Sequence, residues 1–139
     1  MYGALEVSTS ALVAHRTNLN VIAGNIAMME VTRDDAGRPI PYRRRVALFA
    51  AGRTSGPENA AGVHVAKVVE DPAPFGFRYD PTHHDAILTG DRKGYVRVSN
   101  VDPHTEMVNA MVTARAYEAN IAVIETTKSM ARSTLRLIA

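Results

Sequence analysis

The sequence has no cysteine and no tryptophan, and its aromatic residues are five tyrosines and three phenylalanines among 139 residues. Without cysteine, disulfides, thiolate metal sites and cysteine nucleophiles are excluded. With 6% aromatic residues the core is expected to be thin and aliphatic, which suits helix-on-helix packing better than a large enzyme pocket. No apolar run approaches the roughly 20 residues that span a bilayer. The first eighteen residues, MYGALEVSTSALVAHRTN, lack a basic start, a continuous apolar region and a small-residue cleavage site, so no secretory leader is expected. Charge of one sign is also scarce. Sixteen Lys and Arg face fourteen Asp and Glu, for a formal net charge of +2. Even with a sequence pI near 9.2 this does not predict a nucleic-acid partner, whose basic residues concentrate on one face. G-x-S-x-G, H-E-x-x-H, P-loop and dinucleotide fingerprints are absent, and neither a catalytic site, a metal nor a cofactor is expected.

What the chain does have lies at its two ends. Leu5, Ser8, Leu12, His15, Leu19, Ile22 and Ile26 recur at alternating steps of three and four. Met107, Ala110, Ala114, Tyr117, Ile121, Ile124, Lys128, Ala131, Leu135 and Ile138 do the same. Such spacing is a heptad seam, the stripe by which one helix packs along another. Two long helices at opposite ends of a small chain are expected to bury their seams on each other or on copies in neighbouring subunits. Leu5, Leu12, Leu19, Ile22, Ile26, Met107, Tyr117, Ile121, Ile124 and Leu135 are therefore the candidate subunit-interface residues. His15 and Lys128 interrupt the seams. Leaving the seam at its edge is favoured for them over fixing helix register.

The first helix is expected from about Leu5 or Ser8 to Met29, with Ser8, Thr9 and Ser10 as capping hydroxyls. Gly24 and three asparagines make it a poor helix by propensity. The last helix is well signalled: Asp102 as cap, Pro103 at the first position and Glu106 in the first turn, where the helix dipole favours an acid. Between them, short β-type runs at residues 46–49, 63–65, 68–69, 75–79 and 95–98 alternate with loops at 52–62 and 80–94, the second expected to be mobile. The fold class is α+β: axial helices at 1–32 and 102–139 flanking a small β-rich region at 33–101.

Three charged clusters have bland readings that outweigh the functional ones. Arg43, Arg44 and Arg45 point alternately to two faces and lack neighbouring Lys or Arg, so a solvated or subunit-contact role is favoured over nucleic acid. His83, His84 and Asp85 are adjacent, with no further ligand at motif spacing, and read as a solvated loop. Glu70 and Asp71, before Pro72, read as a turn rather than an acid–base couple.

Both ends resemble the axial proteins of the bacterial flagellum, the family of rod, hook and hook-junction subunits. The resemblance rests on Ala4-Leu5 through Ser10-Ala11-Leu12, on Leu19 and on Ala23-Gly24-Asn25-Ile26-Ala27. At the other end it rests on Asn100-Val101-Asp102, Glu106-Met107-Val108 and Ala114-Arg115-Ala116-Tyr117-Glu118-Ala119-Asn120. Thr32-Arg33-Asp34, Pro41-Tyr42-Arg43-Arg44, Val69-Glu70-Asp71-Pro72, Tyr79-Asp80-Pro81 and Gly94-Tyr95-Val96-Arg97 are similar to the proximal-rod members. The chain departs from the family at Met28, where Asn is usual, and at Val98-Ser99, where Tyr-Pro is usual. The resemblance implies a non-enzymatic rod subunit in the periplasmic part of the basal body. It implies contacts with other rod subunits and with copies of itself, and passage through the flagellar type III export apparatus without a cleaved signal peptide. It does not imply nucleic acid or a membrane span. The alternative class is a small coiled-coil adaptor with a β-rich insert that takes an acidic ligand on Arg43 to Arg45.

Overall fold

The computed structural model describes residues 2–52 and 61–138. Two long helices, α1 (Tyr2–Met28) and α2 (Pro103–Ile138), enclose four strands: β1 (Arg45–Ala51), β2 (Val63–Glu70), β3 (Gly76–Tyr79) and β4 (Tyr95–Val98). The strands form two separate antiparallel pairs, β1 with β2 and β3 with β4. The expected α+β architecture, long terminal helices around a small β-rich middle, is what the chain adopts.

Helix α1 starts earlier than expected, and Ser8, Thr9 and Ser10 lie inside it. Their hydroxyls do not cap. Thr9 donates to the Leu5 carbonyl at 2.7 Å and Ser10 to the Val7 carbonyl at 2.7 Å. Bonding to the preceding turn satisfies a hydroxyl within a helix. At α2 the expected cap is present. Asp102 accepts from the His104 and Thr105 backbone N–H groups at 3.3 and 3.2 Å, and the Thr105 bonds hold its carboxyl below the ordinary range.

The runs at 63–65 and 68–69 are one strand. Leu48 pairs with Lys67 and Phe49 with Val65, leaving Ala66 as a bulge that locally increases twist. Ser10 then ties this hairpin to α1: its oxygen accepts the Val63 N–H at 3.0 Å. Gly62 permits the approach, because its φ is +143° and a Cβ there would lie 2.9 Å from the Ser10 oxygen. The buried apolar set is Ala11, Ala14, Ile22, Ala47 and Val96, three of them alanines. The core is as thin as the composition implied, with polar contacts supplying much of the specificity.

The segment at 80–94 is fastened rather than loose. Ile87 N–H donates to the Tyr95 carbonyl and Gly94 N–H to the Ile87 carbonyl, both at 2.9 Å. Asp85 accepts from Thr32 at 2.8 Å and from Arg33 at 2.6 and 2.8 Å, and its side chain is 5% exposed. The Arg33 hydrogen bond, opposed by desolvation and aided by Thr32, pulls the Asp85 pKa down to about 2. A carboxylate so held pins the segment to the chain leaving α1. Of the loop expected at 52–62, residues 53–60 lie outside the described residues.

Candidate functional site

The most closed polar cluster joins the two helices through the segment between them. Glu106, in the first turn of α2, is wholly buried, and Asn25 of α1 is 1% exposed. The Asn25 amide donates to Glu106 Oε2 at 2.9 Å and to the Arg45 carbonyl at 2.8 Å. Its oxygen accepts from the Arg45 N–H at 2.9 Å and from the Tyr42 hydroxyl at 3.1 Å. One side-chain amide thus satisfies both backbone groups of Arg45, as a neighbouring strand would. Burial pushes the Tyr42 phenol up, keeping the hydroxyl a donor.

The other Glu106 oxygen accepts a hydrogen bond from Arg44 Nε at 2.8 Å and lies 2.8 Å from its terminal nitrogen in the same ion pair. Arg44 also reaches Asp71 Oδ2 at 3.0 Å. Burial works against the Arg44 charge, but the bonds to Glu106 and Asp71 outweigh it and hold its pKa above the ordinary value. Asn100 completes the frame, accepting the Arg44 N–H at 2.8 Å. A buried carboxylate is tolerable only when paired and hydrogen-bonded like this.

A second polar rung lies about two turns away, where the Asn18 amide donates to the Thr113 hydroxyl at 3.0 Å. From Asn25 to Asn18 and from Glu106 to Thr113 the helices run in opposite directions by equal steps. The two rungs therefore define one antiparallel register. By that register α1 begins level with about residue 129, so roughly the last nine residues of α2 extend beyond it.

The seam positions sit slightly rotated from their expected places. On α2 the closed or part-closed stripe runs through Glu106, Ala110, Thr113, Tyr117, Asn120, Ile124, Thr127 and Ala131. Met107 and Ile121, off that stripe, are 61% and 37% exposed, and Lys128 is exposed too; Leu135 lies on the stripe but beyond the end of α1, and is 67% exposed. On α1, Ile22 is buried within the chain, whereas Leu5, Leu12, Leu19 and Ile26 are part-buried beside the more closed Ser8, Ala11, Ala14 and Asn25. Tyr117 and Ile124 are part-buried, and the Ile138 side chain lies outside the described residues. Hydropathy missed the rotation because Glu106, Thr113 and Asn25 face inward to hydrogen-bond, which no apolar periodicity records. His15 stays partly within the interface, its ring 5.7 Å from that of Phe49, while Lys128 leaves it.

The arginine run is not simply solvated. Arg43 donates to the carbonyls of Asp71 at 2.9 Å and Ala73 at 3.1 Å and lies 4.3 Å over the Phe75 ring. Arg44 is the strut described above, and Arg45 lies 5.6 Å from the Tyr42 ring. The available signal was Glu106, whose acid could have been sought by a basic partner. Asp71 forms a turn, accepting the Ala73 N–H at 2.9 Å. His83, His84 and Asp85 bring ligand-type atoms within 4.8 Å of one another. The Asp85 oxygens, however, are already committed to Arg33 and Thr32, and an adjacent guanidinium opposes a cation.

Asn25 belongs to the amino-terminal motif and Glu106 to the carboxy-terminal one, so the two motifs meet in space. Residues 92–137 match the family model for the flagellar basal body rod FlgEFG protein C-terminal region. The chain is 38% identical to the flagellar basal-body rod protein FlgC of Borreliella burgdorferi, covering 99% of this chain and 97% of that protein. The chain belongs to the FlgC family of flagellar basal-body rod proteins. Similarity to FlgC of Bacillus subtilis is 39% identity over 98% of this chain and 97% of that protein. For FlgC of Escherichia coli O157:H7 it is 39% identity over 95% and 93%. As a FlgC-family chain it is a structural subunit of the flagellar basal-body rod, located in the basal body and assembled with other rod components. No helix among the described residues is long and apolar enough to cross a membrane.

Proposed function

We propose that this FlgC-family chain works without catalysis as a proximal-rod subunit, helping to carry motor torque along the rod towards hook and filament. In this reading the helices at 1–32 and 102–139 are the axial parts that contact neighbours and copies of the same chain, and 33–101 is a bracing subdomain. The observation that carries it is the apolar surface left on α2 after α1 has packed. Met107, Met111, Val112, Met130 and Leu135 are each more than 60% exposed. Exposed apolar groups grouped along one element favour an interaction site over a solvated face. Among the described residues, the part of α2 beyond α1 continues the seam through Leu135 with nothing of its own chain opposite. A shaft under torsion needs such lateral ties along its length.

Of the ten interface candidates, Met107, Ile121 and Leu135 are open to a neighbour, and Leu5, Leu12, Leu19, Ile26, Tyr117 and Ile124 are partly open. Ile22 supports the interface from inside the chain. Passage through the flagellar type III export apparatus accompanies this role, and a chain free of disulfides suits export in an unfolded state. The adaptor alternative loses its basis, since Arg43 and Arg44 serve internal partners and do not present a platform for an acidic ligand. The test is fractionation of cells carrying Leu135→Asp, tracking the chain in cytoplasm, periplasm and purified basal bodies. Export without incorporation is expected. Normal incorporation and swimming would remove the assembly role from the α2 seam.

A further inference from the structure

We infer that the outer edge of β3, with the aromatic and basic side chains beside it, is a docking strip for an extended acidic segment of another basal-body protein. The inference rests on the rod-subunit role and adds a surface outside both terminal helices. In the β3–β4 pair Phe77 stands opposite Arg97 and Tyr79 opposite Tyr95, and the Asp80 N–H donates to the Gly94 carbonyl at 2.9 Å. An antiparallel ladder bonds at every second residue, so Gly76, Arg78 and Asp80 turn their backbone groups towards β4. Phe77 and Tyr79 turn theirs outward, and among the described residues no hydrogen-bond partner meets them there. The other strands are blunted. Asn25 takes both backbone groups of Arg45 at the start of β1, β2 carries the Ala66 bulge, and the Ile87 N–H covers the Tyr95 carbonyl on β4. An open β edge is completed by another peptide backbone, which favours a protein occupant over a glycan or a nucleic acid.

The side chains beside that edge define the occupant further. Alternation puts Phe77, Tyr79, Tyr95 and Arg97 on one exposed face and Val96, which is buried, on the other. The Arg92 guanidinium lies 4.0 Å over the Phe77 ring. A guanidinium stacked in this way is held in place while its N–H edge stays open to a carboxylate. Arg92, Lys93 and Arg97 are all exposed. Of the acids in the same segment, Asp80 is bonded to Thr82 and Asp85 to Arg33, so Asp91 stands against three bases. The strip is therefore positive, and its complement is acidic. At the Tyr79 end, where that ring is 65% exposed, a hollow of about 260 Å³ opens beside Pro81, Ile87 and Leu88. A strand added to β3 presents alternate residues to this face. The matching segment thus carries an acidic residue at Phe77 and Arg97 and, two positions along, an apolar residue at Tyr79.

The test places a photoreactive phenylalanine analogue at position 88 of the full chain, where Leu88 is 80% exposed at the rim of the hollow. Motile cells are irradiated, basal bodies purified and the adduct mapped by mass spectrometry. The adduct is expected on another basal-body protein, in a segment with an acidic and an apolar residue two positions apart. Arg92→Glu with Arg97→Glu should cut its yield roughly tenfold or more. Replacing the acidic residue of the mapped segment by Lys in that background should restore it. Tyr79→Ala keeps the outward N–H, whereas Tyr79→Pro removes it and leaves the bonds to β4 intact. The proline should therefore lose more adduct than the alanine. An adduct on a second copy of this chain, one on a segment without acids, or one indifferent to the arginine change would overturn the docking strip. So would equal yields from proline and alanine, or normal incorporation with no adduct. The unaltered chain's presence in purified basal bodies checks the subunit role by itself.

Discussion

Asn25 and Glu106 stand 81 positions apart in the chain and 2.9 Å apart in space, and both are inaccessible to water. Between them they engage Tyr42, Arg44 and the backbone of Arg45, so a single amide–carboxylate contact gathers both terminal helices and the start of the first strand.

Asn25→Ala removes four hydrogen bonds at once. Each buried group left without a partner costs roughly 1–3 kcal/mol, and Glu106, the Tyr42 hydroxyl and both backbone groups of Arg45 lose one. Chemical denaturation of the isolated chain should show a loss of at least ~2 kcal/mol relative to the unaltered protein. A smaller loss would mean that water replaces the amide.

Gly24 has a different fingerprint. It lies inside α1, and a Cβ built on it meets nothing within 4 Å. Helix propensity alone then makes Gly24→Ala stabilising by up to about 1 kcal/mol. If a neighbouring helix approaches there in the rod, the same substitution should raise the thermal midpoint of the isolated chain while reducing swimming. Raised stability with unchanged swimming would leave Gly24 outside any interface.

Leu135→Asp separates assembly from folding in the opposite way. At 67% exposure the side chain contributes little to the isolated chain, so the substitution should alter its stability by less than about 0.5 kcal/mol. Incorporation into purified basal bodies should nevertheless fall sharply. Ile121→Asp, at 37% exposure, should impair both readouts.

The Asp85 clasp sets an acid limit. Its folded pKa, lowered from 3.8 to about 2 by Arg33 and Thr32 against desolvation, means that its contribution is complete above the unfolded value. That contribution is lost as pH falls from about 4 towards 2. Protection factors of the amides in residues 80–94, taken against the intrinsic exchange rate at each pH, should fall across that window. Asp85→Asn should show the lower protection factors already at neutral pH and little further change in them on acidification.

Helix existence was legible because heptad spacing, the Asp102 cap and Pro103 are local signals carried by residues close together in sequence. The strand runs were legible for the same reason, although the bulge at Ala66 made one strand look like two. In sequence Asp85 reads as part of a solvated loop, because its partners, Thr32 and Arg33, lie 53 and 52 positions away.

By itself, the sequence determined that the chain is cysteine-free, thin-cored and built on two helices with assembly-type seams, since composition and period depend on nothing beyond the chain's own order. Which face of each helix closes was decided only by tertiary structure. Glu106, Asn25 and Thr113 count as polar in any periodicity, yet they are buried because folding brings Arg44, Arg45 and Asn18 to them. Desolvation penalises a polar group only until its partner arrives, and the arrival of a distant partner is a three-dimensional event.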